Sequence, residues 1–264
     1  KQTEHYCSPN SCDTMKNVKK DSLGGDDMFQ QKDKALIGLI VMGASASIEK
    51  AFHKNVPDRV QITTTRVPFG EVSYNGFLEV TRKLPDAASL LMDAQPDVIA
   101  ITNLIGGCIR GSEIINTLQQ ITGVPVLMPA FELVRALRQI RAGRIAIVSI
   151  FSNEFSLLES MFFENMDFNI VQSINMAEST DVNPYTVINI CCEDMIERLK
   201  TADLSKADAV IFDHPMLDLN SGIEKELEKV IPVPFFSVTQ MLLYSALKRV
   251  GESTDHLFIS KFLN

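Results

Sequence analysis

Two segments of the sequence end in polar side chains at matching positions. Asn103 stands six residues after Asp97, and His214 stands six residues after Asp208, each beyond a short apolar run that is typical of a buried strand. An imidazole, with a reference pKa of about 6.5, can accept or donate a proton at neutral pH. A carboxamide can bind a carboxylate or enolate oxygen. The two positions therefore predict a site for proton chemistry.

The neighbours of this pair extend the predicted site. Asp213 precedes His214 and could orient or charge-stabilise its imidazole. The other polar candidates are hydroxyl residues in the turns after strands, namely Thr102, Ser45, Ser149 and Ser152. Each candidate also has a structural alternative: His214 as a packed ring, Asn103 as a turn-forming amide, and the serines as helix caps. The sequence leaves these alternatives open.

An internal repeat of about 110 residues must position these side chains. Short apolar runs alternate with amphipathic stretches of helical spacing, and the order recurs after residue 143. The predicted strands are Ala35–Val41, Arg59–Thr65, Asp97–Thr102, Val124–Leu127, Arg144–Ser149, Phe168–Ile174 and Asp208–Phe212, with Ile231-Pro-Val-Pro234 matching Val124–Leu127. The predicted helices are Phe77–Asp93, Ile114–Ile121, Phe131–Arg141, Asn153–Phe163 and Val187–Leu199.

Strands alternating with helices indicate right-handed βαβ crossovers and parallel sheets. We therefore predict an α/β fold of two pseudo-symmetric parallel-sheet halves that face each other across a cleft. The first half spans 34–142 and is completed by a C-terminal helix at about 236–264, and the second spans 143–235. Residues 1–33 are polar and lack periodicity, which predicts a flexible arm. Ligands of such sheets bind beyond the carboxyl ends of the strands, where both polar positions fall.

Composition narrows the classes of partner. The 264 residues carry a net charge of −8 without a basic block, which argues against nucleic acid and anionic membranes. No apolar run approaches the ~20 residues that span a bilayer. We expect a small-molecule ligand and no metal or cofactor, because no metal-ligand spacing or nucleotide-binding motif is present. A homodimer is compatible with the fold, although no residue specifies one.

The five cysteines are Cys7, Cys12, Cys108, Cys191 and Cys192. We interpret the last two as small buried residues inside the predicted helix Val187–Leu199. Cys7 and Cys12 could close a disulfide loop in an oxidising compartment. The α/β body slightly favours the cytoplasm, but these cysteines and the first residue, Lys rather than Met, leave a processed or secreted form open.

Several segments together carry a family resemblance, which runs from about Leu36 to Gly251. In chain order they are Leu39–Glu49, Thr65–Phe69, Asp97–Gly111, Gly143–Val148 and Asp208–Leu217. In these segments the chain resembles the Asp/Glu racemase superfamily, in particular its maleate isomerase and arylmalonate decarboxylase branch. The resemblance implies one or two catalytic cysteines, one at the end of each half's third strand. Those positions fall on Asn103 and His214, so both cysteines are expected to be substituted.

The resemblance also implies changes in the substrate pocket. Ser45 replaces an asparagine of maleate isomerases, and Phe151 stands where a tyrosine hydroxyl would bind a carboxylate. Leu104 and Ile105 stand where the decarboxylase has hydroxyl residues. Pro215 and Met216 replace a glycine pair, and proline removes a backbone N–H donor. Such a pocket should bind a carboxylate less well.

Two classes of function follow. The favoured class is a cofactor-independent lyase, decarboxylase or isomerase that transfers a proton at a carbon next to a carboxylate-like group of a small organic acid. His214 would donate or accept the proton, Asn103 would stabilise the enolate, and Asp213 would tune the imidazole. The alternative is a non-catalytic ligand-binding or structural member of the fold. A changed substrate without a carboxylate also remains open.

Overall fold

The computed structural model describes residues 34–264, which contain two four-stranded parallel sheets. The predicted arm at 1–33 lies outside the described residues, as do Cys7 and Cys12. The first sheet has the order β2-β1-β3-β4 and the second the order β6-β5-β7-β8. The strands are β1 Ala35–Met42, β2 Val60–Val67, β3 Val98–Ile101, β4 Val126–Leu127, β5 Arg144–Ser149, β6 Asn169–Asn175, β7 Ala209–Asp213 and β8 Phe235–Ser237. The α/β class and the two parallel sheets are thus as predicted.

Ten helices connect these strands within residues 34–264. They are α1 Ser47–Asn55, α2 Tyr74–Met92, α3 Leu104–Thr122, α4 Pro129–Gln139, α5 Asn153–Glu164, α6 Pro184–Ile188, α7 Cys192–Thr201, α8 Ile223–Leu227, α9 Val238–Arg249 and α10 Ser260–Leu263. None of the described helices is long and apolar enough to cross a membrane.

The two central strand pairs place the candidate residues. In the first half, β1 lies beside β3 with Ile40 opposite Ile101. In the second half, β5 lies beside β7 with Ser149 opposite Asp213. Every residue of β3 and β7 is buried, as expected for strands covered by helices on both faces. Polar residues at the ends of these neighbouring strands are therefore brought together within each half.

Three predicted elements differ from the observed ones. The helix predicted over Val187–Leu199 is broken, because α6 ends at Ile188 and α7 begins at Cys192. Cys191 occupies the exposed N-cap position and Cys192 is half-buried, so the prediction that both are buried inside a helix is wrong. The helix predicted from Ile114 begins ten residues earlier, immediately after Asn103. The last strand comprises Phe235–Ser237, after the proline-containing segment that we matched to Val124–Leu127.

An aromatic cluster joins the two halves. Phe77 of α2 contacts Phe151 and Phe155 of the second half at ring-centroid distances of 5.6 and 5.2 Å, in edge-to-face geometry. Phe69 contacts Phe77 from the first half at 4.9 Å. Such pairs contribute about 0.5–1.5 kcal/mol beyond the area they bury. The cluster therefore fixes the two halves against each other.

The last helices of the two repeats also pack together. Helix α9 follows β8 of the second sheet, yet it contacts α4, β3 and β4 of the first half. Its buried residues include Leu242, Leu243 and Leu247. The chain therefore returns to the first half after it has completed the second sheet.

Candidate active site

Asn103 caps helix α3 and leaves one polar atom without a partner. Its backbone is extended and its Oδ1 accepts a hydrogen bond from the Gly106 N–H at 2.8 Å, the usual arrangement of an N-cap. A β-carbon at Gly106 would lie 2.4 Å from the Asn103 Nδ2, so glycine is required for this close approach. The residue is 1% exposed, and its Nδ2 has no acceptor among the described residues. The amide nitrogen is thus a free buried donor.

Two hydroxyl groups lie at the same edge of the first sheet. Ser45 and Thr102 are buried, and neither hydroxyl has a hydrogen-bond partner in the described part of the chain. The Ser45 turn is held by Arg66, whose guanidinium donates to the Gly43 and Ser45 carbonyls and pairs with Glu49. The first half therefore presents three buried, uncharged and unpartnered polar groups at its strand ends.

His214 lies at the corresponding edge of the second sheet and is 1% exposed. Its Nε2 lies 3.2 Å from the Ile190 carbonyl, and the Met216 N–H points at its Nδ1 from 3.4 Å. These contacts assign the proton to Nε2 and the lone pair to Nδ1. Burial lowers the pKa of His214 to about 4, so the imidazole is uncharged at neutral pH. At neutral pH the ring is therefore not an imidazolium that could donate a proton, and it is a weak base.

Asp213 pairs with a residue that sequence reasoning missed. Ser149 Oγ donates to Glu159 Oε1 of α5 at 3.2 Å, and Ser149 is opposite Asp213 on the neighbouring strand, which brings the two carboxyl groups together. Burial raises the pKa of Asp213 to about 6, and it raises the pKa of Glu159 well above its usual range, helped by the charge of Asp213. Among the described residues no hydrogen bond joins Asp213 to His214, so the predicted orienting role has no contact behind it.

Cys108 and a groove lie where residues of the two halves approach each other. Cys108 is half-buried on α3, five residues after Asn103, and burial and the charges of Glu159 and Asp213 raise the pKa of its thiol. The first half thereby approaches the carboxyl pair of the second. A groove of about 330 Å³ also lies between the halves, lined by Ser47, Lys50 and Ala51 of α1 and by Met216 and Leu217 after His214.

The remaining predicted contacts lie in different surroundings. Leu104 is the first residue of α3 and packs in the core, and Phe151 belongs to the aromatic cluster. The Pro215 carbonyl accepts a hydrogen bond from the Thr239 hydroxyl at 2.6 Å. Met216 is half-buried and lines the groove. Ser152 occupies the N-cap position of α5, but its side chain makes no capping hydrogen bond.

Glu159 could have been found from its helical spacing. It lies four residues after Phe155 and three before Phe162, on the face of α5 that those buried rings define. A carboxylate on an apolar helix face signals a buried partner. In the described part of the chain no group of three or more His, Cys, Asp or Glu residues is placed to hold a metal ion.

Comparison with solved structures reveals close similarity of fold. The maleate isomerase Iso from Pseudomonas putida S16 superposes with a TM-score of 0.75 at 16% identity, covering 83% of this chain and 94% of that one. A cysteine-to-serine mutant of Nocardia farcinica maleate cis-trans isomerase, which carries a covalently bound succinylcysteine intermediate, gives 0.73 at 21% identity over 83% and 93%. A liganded double mutant of arylmalonate decarboxylase gives 0.71 at 15% identity over 83% and 93%.

A family model extends this result to the sequence. No curated protein matches the chain. The model of the arylmalonate decarboxylase family matches residues 37–262, which include both sheets and every candidate residue named above. The resemblance inferred from the sequence is thereby confirmed at the level of the family. The chain belongs to the arylmalonate decarboxylase family.

Proposed function

We propose that this protein is a cofactor-independent lyase or isomerase that transfers a proton at a carbon next to the carboxylate of a small organic acid. One observation carries the proposal: the Asn103 amide nitrogen is a buried donor without an acceptor, at the carboxyl edge of a parallel sheet. An unpaired buried donor costs about 1–3 kcal/mol, which a ligand oxygen would recover. Such donors stabilise an enolate when they are held in place before it forms.

The other residues supply complementary functions. The Ser45 and Thr102 hydroxyls are free to bind a second oxygen of the substrate. The neutral His214 imidazole presents Nδ1 as a hydrogen-bond acceptor. Lys50 is exposed at the groove between the halves, where its charge would attract an organic anion.

The type of reaction follows from the replaced cysteines. The Nocardia relative carries a succinylcysteine intermediate. In our proposal Asn103 and His214 occupy the two cysteine positions of this chain. A carboxamide is neither a general acid nor a general base at neutral pH. Only one face of the substrate carbon would therefore meet an acid or base. We therefore favour decarboxylation or elimination over racemisation by two bases.

A non-catalytic ligand-binding protein is the second candidate. Phe151 packs against Phe77 and Phe155 where the resemblance implies a carboxylate-binding hydroxyl. His214 is buried, so solvent does not reach its imidazole. Both observations favour a cleft that side chains have filled.

Incubation with an arylmalonate, and separately with maleate, in deuterated buffer tests the proposal. Proton NMR should detect loss of CO₂ with deuterium incorporation, or conversion to the trans isomer. Asn103→Ser retains a capping oxygen but removes the amide, and it should lower kcat by about 100-fold or more. His53→Gln, on the exposed surface of α1, is the control and should leave kcat unchanged. Saturable binding of either acid without turnover or exchange would support the non-catalytic alternative instead.

A further inference from the structure

The second half contains two buried carboxyl groups without a cation. Glu159 is 0% exposed and Asp213 is 3% exposed, and no Lys or Arg forms an ion pair with either one among residues 34–264. Two adjacent carboxylates in a site of low polarity cannot both be ionised without a large free-energy cost. A proton between them removes the repulsion between the two negative charges.

The hydrogen bonding of the pair also requires a proton. Ser149 satisfies one oxygen of Glu159, while Glu159 Oε2 and Asp213 Oδ2 have no donor among the described residues. Ser149 donates to Glu159 and is opposite Asp213 on the neighbouring strand, so the two carboxyl groups lie close together. A carboxylate alone has no proton to donate. One shared proton provides the missing donor.

The backbone holds this arrangement in place. Asp213 and Ser149 are opposite each other on neighbouring strands, and the Ile150 N–H donates to the Asp213 carbonyl at 3.2 Å. Glu159 reaches the pair from the buried face of α5. The other titratable groups nearby are Cys108 on α3, whose thiol is protonated at neutral pH, and the uncharged His214. Neither group neutralises the pair.

We propose that Glu159 is a positioning residue that keeps one proton at neutral pH and shares it with Asp213, so that the pair can deliver this proton to the substrate carbon. In a decarboxylation, the bond from carbon to the carboxylate breaks, CO₂ leaves and its bonding electrons remain on the substrate as an enolate. The pair's proton then forms the new C–H bond, and the ionised pair regains a proton from water. This inference rests on the proposed function for its second step only.

Infrared spectroscopy of the unmodified protein tests the proton directly. At pH 7 the spectrum should contain a carboxylic-acid C=O band that shifts when Glu and Asp carboxyls are labelled with ¹³C. Glu159→Gln places an amide donor beside Asp213, so the band should disappear at pH 7. Glu154→Gln, an exposed position on the same helix, should retain it. Absence of the band from the unmodified protein would overturn the proposal, whether or not the protein turns over a substrate.

The pH profile of kcat tests the transfer step. The rate of arylmalonate decarboxylation should fall at alkaline pH in step with loss of the infrared band. In Glu159→Gln this alkaline limb should move to lower pH by at least one unit, whereas a purely structural role would lower kcat at every pH equally. If the alkaline limb of the kcat profile stayed at the same pH in Glu159→Gln, the proposed role of Glu159 would be overturned, while the proposed function would stand. A band without turnover of any acid would support the shared proton and count against the proposed function.

Discussion

The carboxyl edges of the two sheets have corresponding strand orders but carry side chains of different chemistry. In the first half, Asn103, Ser45 and Thr102 present only uncharged groups that do not titrate near neutral pH. In the second half, the equivalent edge holds His214 and the Glu159–Asp213 pair, and burial changes the pKa of each. The repeat thus preserves polar side chains at the strand ends, while the chemistry of those side chains differs between the halves.

The largest effect that separates the two edges should come from His214. Its pKa is lowered from 6.5 to about 4 in the folded state, so its contribution to stability is full above pH 6.5 and is lost as the pH falls through 4. Gln at this position can still donate to the Ile190 carbonyl but does not titrate. His214→Gln should therefore reduce the loss of stability between pH 7 and pH 4 by about 3 kcal/mol.

Urea denaturation at a series of pH values measures this difference. His53→Gln, which is exposed, should leave the pH dependence as it is in the unmodified protein. The same loss of stability between pH 7 and pH 4 in His214→Gln and in the unmodified protein would contradict the lowered pKa of His214. The two strand edges would then not differ in this respect.

The carboxyl pair should give stability the opposite dependence on pH. The pKa of Asp213 is raised to about 6 in the fold, so its contribution is full below an unfolded pKa of about 4 and is lost as the pH rises through 6. Asp213→Asn, which does not titrate, should remove about 2 kcal/mol of this decline between pH 4 and pH 6. The same urea series measures it, with Glu154→Gln as the exposed carboxyl-to-amide control. A variant whose stability declined as steeply as before would contradict the burial of the Asp213 carboxyl.

The smallest effect on stability is expected at the carboxyl edge of the first sheet, which carries no titrating candidate residue. Asn103→Ala removes the oxygen that caps α3 and should lower the free energy of unfolding by about 1 kcal/mol. Because no titrating group is involved, the loss should be equal at pH 5 and pH 8, and Asn103→Ser should restore most of it. Thermal unfolding at the two pH values measures the loss. A pH-dependent loss would show that the first edge is coupled to the charges of the second.

The sequence was sufficient to predict the fold because the strand pattern occurs twice. Apolar runs such as those of β3 and β7 are long enough to identify buried strands, and their order defines the crossovers. The break before Cys192 was missed because the residues on either side have helical spacing. The N-cap that separates α6 from α7 is a local backbone conformation that this spacing does not reveal.

The strand-end positions of the candidate residues could be predicted, but their surroundings only partly. Asn103 and His214 were located by counting along the repeat, because the carboxyl ends of parallel strands lie at one edge. Glu159 was missed because its contact with Asp213 depends on how α5 packs on the sheet. The protonation of His214 likewise depends on burial by residues distant in sequence, which no reference pKa contains.

The crossing of α9 onto the first half has a consequence for how the chain can be divided. The helix that ends the second repeat covers α4, β3 and β4 of the first. Cutting the chain before β5 would leave the apolar faces of β3 and α4 in water. We therefore expect the two repeats to fold as one cooperative unit, and neither repeat to be stable when it is produced alone.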